Sequence, residues 1–174
     1  MRRIVPLVLP LLAVMSIPLM AQDNSNRIGL GVGMTYQTAG DATIFWEHET
    51  KYHNAWEVFT EGQMLLPDDW NHESVIWDGG KRWGVGAAYK PCVYRARNKY
   101  GSFRLGVSLG AAPSDFQAAL HVGWQQSYAL KGGWQFYWQA GTFATLPKWG
   151  GLFHAGGGIG IKMPVRERFH NKLK

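Results

Sequence analysis

The chain has 174 residues, of which 46% are hydrophobic, 17% are charged and 22 are glycine, and Lys and Arg outnumber Asp and Glu by 18 to 12. The high apolar content excludes a disordered chain, and a single cysteine excludes a disulfide scaffold. The length predicts one domain.

The N-terminus has the pattern of an export signal. Arg2 and Arg3 precede residues 4–20, which carry no charge, and the sequence turns polar at Gln22. This order is typical of a secretory signal peptide, and three prolines in the apolar stretch disfavour an uncleaved membrane helix. We expect cleavage after Ala21, which divides the chain into a signal peptide (1–21), a main domain (22–163) and a basic C-terminal tail (164–174).

The main domain alternates large apolar residues with small or polar ones. In residues 28–36 nearly every even position is large and apolar, and every odd position is small. The same period of two recurs over residues 83–90, 103–110, 116–125, 134–139 and 152–163, and less clearly over 42–50 and 55–64. β-strands have this period. Eight segments of about ten residues match the length of membrane-spanning strands, so the sequence predicts an eight-stranded antiparallel transmembrane β-barrel.

A soluble β-sandwich or lipocalin-like barrel would show the same alternation of residues, but its large apolar side chains would point inward and its charged side chains would point to water. Side-chain size favours the membrane barrel, because the small and polar face fits the narrow interior of eight strands. Tryptophans near predicted strand ends, such as Trp46, Trp83 and Trp134, also suit the headgroup level of a bilayer.

Charged residues on the small-residue face are expected to meet inside the barrel. Glu57 and Glu61 would face Lys90 and Arg104 across the lumen. Because charges removed from water must be paired, we predict that these four form a salt-bridged network that plugs the barrel. The alternative is that some of them lie near the rims and are solvated.

An even strand number places both termini on one side of the membrane, and export makes that side the periplasm. The positive charge concentrates there, in the predicted inner turn 91–101 and in the tail; the residues are Arg95, Arg97, Lys99, Arg166, Arg168, Lys172 and Lys174. This basic surface could be merely solvated, could dock an envelope partner, or could bind phosphate groups of lipid or nucleic acid. Since no nucleic-acid-binding module accompanies it, we expect no direct nucleic-acid binding.

Motifs for catalysis, metals or cofactors are few. The alternating glycines at 29, 31 and 33 continue as a strand rather than opening a helix, so they do not predict a dinucleotide site. The six histidines lack paired-ligand spacing, and with one cysteine we expect no metal and no cofactor. His72 and Ser74, in the longest predicted outer loop, are the residue types that a lipid-modifying enzyme would need for catalysis. They are also ordinary residues of a polar loop, and we predict a protein that is not an enzyme.

Four segments resemble the TraO family, which is encoded in the conjugative transposons of Bacteroides and its relatives. They are residues 52–59 (YHNAWEVF), 82–98 (RWGVGAAYKPCVYRARN), 121–124 (HVGW) and 133–139 (GWQFYWQ). The resemblance implies an outer-membrane component of a DNA-transfer apparatus in a Gram-negative envelope, in contact with lipid and with other transfer proteins. It offers no catalytic residues. The chain departs from the usual terminal aromatic of outer-membrane barrels by continuing past Pro164 to Lys174. The alternatives are a lipid-modifying barrel enzyme and a narrow pore.

Overall fold

The computed structural model describes residues 25–36, 38–50, 52–65, 81–112, 116–146 and 153–165. The predicted signal peptide, the loop that carries His72 and Ser74, and tail residues 166–174 lie outside these ranges. No helix in the described ranges is long and apolar enough to cross a membrane.

Strands make up almost all of the described chain. Their bounds are β1 Ser25–Thr35, β2 Thr38–Glu49, β3 Ala55–Leu65, β4 Lys81–Lys90, β5 Cys92–Ala96, β6 Lys99–Ala111, β7 Phe116–Ala129, β8 Gln135–Leu146 and β9 Phe153–Pro164. Neighbouring strands pair antiparallel in the order β4-β3-β2-β1-β9-β8-β7-β6, and β4 also pairs with β6. This last pairing closes eight long strands into a barrel, which confirms the predicted fold.

The register shows how strongly the strands are inclined. Moving from Asn26 to its partner on the next strand, and so on once around the barrel, leads to Tyr36, just past the end of β1 and ten residues beyond the start. The path runs through His48, Trp56, Tyr89, Leu105, Val122, Thr142 and Ala155. Such a stagger tilts the strands by about 40° from the barrel axis. Side chains that meet in the lumen therefore come from different register positions on successive strands.

The alternation predicted from sequence divides the outside of the barrel from its inside. Leu30 and Val107 are 42% and 58% exposed on the outer face, whereas Phe59 and Tyr137 are each 1% exposed in the lumen. Outer aromatic side chains on paired strands touch, as Trp56 and Tyr89 do with ring centroids 4.6 Å apart. A continuous apolar outer face is what a lipid environment requires.

One end of the barrel carries the start of β1 and the end of β9, and we call it the terminal end. Short connections close it at residues 50–54, 97–98 and 130–134. In the last of these, Gly132 and Gly133 have φ values of 77° and 83°, a region that favours glycine. Residues 91–101 were predicted as one inner turn, but the turn in the structure is shorter. These residues form β5 and the start of β6, which pair as a hairpin around a turn at Arg97 and Asn98.

Candidate functional site

Five charged side chains meet in the lumen and form what we call the central ion cluster: Glu47, Glu57, Lys90, Arg104 and Lys162. Lys90 contacts both carboxylates and lies 2.5 Å from Glu47 Oε2. Lys162 Nζ lies 2.7 Å from Glu47 Oε1, and Arg104 donates to Glu57 Oε1 from Nε and Nη2 at 3.0 and 2.8 Å. None of these side chains is more than 13% exposed.

The register explains why three strands must supply the positive charge. Glu47 and Glu57 are direct partners on β2 and β3, where two like charges repel. Cations from β4, β6 and β9 surround the pair, and Gln125 Oε1 accepts hydrogen bonds from Lys90 at 3.0 Å and Lys162 at 3.2 Å. The two carboxylates are therefore compensated by cations from three other strands.

Of the four residues predicted to meet in the lumen, Glu57, Lys90 and Arg104 are in contact. Glu61 lies four positions further along β3, about 13 Å from Glu57, and its ion pair is with Arg82 at 2.8 Å instead. The expectation of a single network was therefore wrong for Glu61. Sequence reasoning missed Glu47 and Lys162 as members, although both occupy lumen-facing positions of segments that were predicted as strands.

A second group, the upper ion cluster, lies between the central ion cluster and the far end of the barrel. It consists of Glu61, Arg82, Ser108 and His121. Arg82 Nη2 donates to Ser108 Oγ at 3.0 Å, and Ser108 Oγ donates to Glu61 Oε1 at 2.8 Å. His121 Nε2 lies 2.9 Å from Ser108 Oγ. This side-chain network joins β3, β4, β6 and β7.

Ser108, His121 and Glu61 are the residue types of a hydrolytic triad, but their geometry differs from one. In a triad the acid holds one ring nitrogen while the serine contacts the other. Here both Ser108 Oγ and Glu61 Oε1 lie at Nε2 of His121, at 2.9 and 3.5 Å. Ser108 is also 1% exposed and engaged by Arg82. The arrangement links β3, β4, β6 and β7 through side-chain hydrogen bonds.

An aromatic layer separates the two ion clusters. Phe45, Phe59 and Tyr137 are buried together, with Phe45 and Tyr137 in edge contact at 5.7 Å. The adjacent strands carry glycine at these positions, since Gly160 on β9 is the direct partner of Tyr137 and Gly31 on β1 is the partner of Gly160, and a Cβ at either glycine would overlap Tyr137. The rings thus lie over glycines of the neighbouring strands, which leave the space that the rings fill.

The interior holds a cavity of about 80 Å³, lined in part by Asp41, Glu61, His121 and Gln139. Since a water molecule takes up about 30 Å³ in the liquid, a cavity of this volume accommodates water molecules. The lumen is filled by protein along most of its described length.

At the terminal end Glu49 binds several groups. Its carboxylate contacts Arg27 and His53 and accepts from Tyr100 Oη at 3.1 Å. The His53 ring stacks on Tyr100 with centroids 4.4 Å apart. Partial burial lowers the pKa of His53, and the nearby Arg95 and Arg27 lower it further. These effects favour the neutral form of the ring in its contact with Glu49.

Charge signs are segregated among the strands. Every acidic residue in the described ranges lies on β2 or β3 and faces the lumen: Asp41, Glu47, Glu49, Glu57 and Glu61. Interior cations come from β1, β4, β6 and β9. The outer cations Arg95, Arg97 and Lys99 lie exposed on the hairpin of β5 and β6. The other four predicted basic residues, from Arg166 onward, lie outside the described ranges.

Within the part of the chain that the structure describes, His, Cys, Asp and Glu side chains do not assemble in threes at a geometry that could hold a metal ion. The absence of a cofactor stays a prediction.

No family model matches this chain, and no curated protein does. Two solved structures share its architecture. A major outer membrane protein from Thermus thermophilus aligns with a TM-score of 0.56 and 10% identity, over 83% of this chain and 100% of that one. Neisserial surface protein A aligns with a TM-score of 0.55 and 12% identity, over 82% and 96%. At such identities the likeness concerns the fold alone, and the chain has the fold of outer-membrane β-barrels.

Proposed function

We propose that this protein is a non-conducting outer-membrane barrel with periplasmic termini that serves as a structural and docking component of a conjugative DNA-transfer apparatus. The observation that carries the proposal is the filled lumen. Two ion clusters and the aromatic layer between them occupy the space through which a pore would conduct.

The energetics of the central ion cluster favour a permanent plug. Removing one partner of a buried ion pair costs about 3–5 kcal/mol, because the remaining charge stays buried without compensation. Glu57 has two such partners, Lys90 and Arg104, on different strands. Opening the lumen at this point would break both contacts, so a conducting state would be energetically costly.

The outer face supports the membrane location, and the hairpin supports docking. Exposed apolar side chains cover the outside of the strands, as lipid contact requires. The exposed basic residues of the hairpin extend beyond the paired part of β3 and β4 at the terminal end. The conjugation role rests on the sequence resemblance of residues 52–59, 82–98, 121–124 and 133–139.

Single-channel recording in planar bilayers tests the plug. Wild-type barrel is expected to show no stable open steps, whereas Arg104→Ala and Glu57→Ala should raise the conductance by removing side chains from the lumen. Thr60→Ala, an exposed position on the outer face of the same strand as Glu57, is the matched control. Strong conductance of the wild-type protein would refute the plugged lumen.

The transfer role is tested in the donor cell. Deletion of the gene should reduce the frequency of transposon transfer and leave the acyl composition of outer-membrane lipids unchanged. Unaltered transfer would contradict the conjugation part of the proposal. A lipid profile altered equally by His72→Ala and Ser74→Ala would favour a lipid-modifying enzyme instead.

A further inference from the structure

Strand β5 has one paired edge and one free edge. It pairs with β6 through Tyr94 opposite Gly101, Arg95 opposite Tyr100 and Ala96 opposite Lys99. The sheet order ends at β5, and no described strand lies on its other side. Because backbone N–H and C=O groups of a strand point alternately to its two edges, about half of those in β5 face away from β6.

The free edge begins just after the barrel wall ends. The Asn54 side-chain oxygen accepts from the Cys92 backbone N–H at 2.8 Å, so the first residue of β5 is already engaged. Beyond it Val93 and Tyr94 are 57% and 43% exposed. The exposed part of β5 therefore runs from Val93 to Ala96, and within it the Arg95 guanidinium lies 5.5 Å from the centre of the Tyr52 ring in the neighbouring connection.

The charge of the hairpin determines what this edge can accept. Arg95, Arg97 and Lys99 are exposed and make no ion pair within the described ranges, where the acids all lie inside the barrel. Like charges directly opposite one another destabilise strand pairing, so a second copy of β5 is a poor partner. An acidic strand would place opposite charges across the new pair.

We propose that β5 is a docking strand to which an acidic, extended segment of a periplasmic partner protein adds as a further β-strand. Backbone hydrogen bonds supply the affinity in this mode of recognition, and the side chains supply the choice of partner. Arg95, Arg97 and Lys99 select the acidic segment. The inference rests on the proposed function in one respect, that the terminal end faces the periplasm.

The test measures binding of a labelled decapeptide of alternating Glu and Thr to the purified mature protein in zwitterionic nanodiscs, by fluorescence anisotropy. Binding should weaken at least tenfold when every peptide amide is N-methylated, because this change keeps the charge and removes the backbone donors. The variant R95E/R97E/K99E should also bind at least tenfold less. Lys131→Glu, an exposed reversal at the same end on another connection, should bind as the wild type does.

Three results would overturn the proposal. One is that neither peptide binds. A second is that both peptides bind equally, which would mean attraction by charge alone. A third is that phosphatidylglycerol in the nanodisc displaces the unmodified peptide completely, which would assign the hairpin to the membrane surface. Conductance and transfer frequency are measured separately from peptide binding. The proposed function can therefore be refuted or supported independently of this inference.

Discussion

At the scale of single residues, Glu47 is as central to the interior as the predicted site residue Glu57, because each carboxylate pairs with two cations. Its two carboxylate oxygens meet the ammonium groups of Lys90 and Lys162, which come from strands on either side of β2 and β3. Without this carboxylate the two ammonium groups would lie close together in the lumen. The sequence pattern placed Glu47 only in a weakly predicted strand, so its role emerged from the closed register.

We expect Glu47→Gln to lower the free energy of unfolding by about 3–5 kcal/mol, since it leaves Lys90 and Lys162 without their shared carboxylate. Urea titration in detergent, followed by tryptophan fluorescence, measures this. The double variant E47Q/K162M should recover part of the loss, because it removes one of the two cations. A double variant less stable than the sum of both single changes would contradict this account of the cluster.

A second residue-scale prediction concerns the glycines that face Tyr137. In Gly160→Ala the new Cβ would overlap the backbone oxygen of Leu30 and the Tyr137 ring, so the wall must shift. Overpacking of this kind costs about 1–3 kcal/mol. Gly62→Ala is the matched control, since its Cβ would meet nothing within 4 Å. Equal stability of the two variants in urea titration would show that the lumen is less tightly filled than described.

At the scale of elements, β6 shows the two environments most clearly, because it runs from the hairpin through the full wall. Val107 lies in the middle of β6 and Val93 in β5, with 58% and 57% exposure respectively. If this face of the sheet were exposed to water, a charged substitution would have a similar effect on stability at both positions. In a bilayer the effects of a charged substitution at the two positions differ, because Val107 lies in the middle of a spanning strand and Val93 lies beyond the closed wall.

Val107→Arg should therefore destabilise the barrel by about 2–4 kcal/mol, whereas Val93→Arg at the rim should change stability by about 0–1 kcal/mol. Urea titration of protein inserted into lipid vesicles measures both. Equal effects would argue against the placement of β6 across the membrane.

The faces of the strands could be predicted from sequence, but the contacts between them only in part. Period-two alternation assigned Lys90 and Arg104 to the lumen without any structure. It could not assign Glu61 to Arg82, because that contact depends on the register between β3 and β4, in which Gln63 is the direct partner of Arg82 and Glu61 is its diagonal neighbour. Residues 91–101 were predicted as a turn, because the bulge between Cys92 and Tyr94 interrupts the alternation where the wall ends.

At the scale of the whole molecule, eight long strands and one closing pair determine the topology. The chain enters at Ser25 and leaves at Pro164 on the same end, because the number of crossings is even. If export delivers the chain from the periplasm, this end stays there.

We therefore expect a C-terminal epitope tag to be labelled by antibody only after the outer membrane is permeabilised. A tag inserted between Asp69 and Trp70, in the longest predicted outer loop, should be labelled on intact cells. Labelling of the C-terminal tag on intact cells would reverse the orientation and remove the hairpin from the periplasm.

The confinement of the acids to β2 and β3 constrains how the barrel assembles. A β2–β3 hairpin inserted alone would carry Glu47 opposite Glu57 in the bilayer, with no cation beside them. Lys90 could arrive early with β4, but Lys162 and Arg104 arrive only with β9 and β6. Insertion of this hairpin alone is thus energetically costly, which favours a route in which the strands associate before they enter the bilayer and neutralisation accompanies closure.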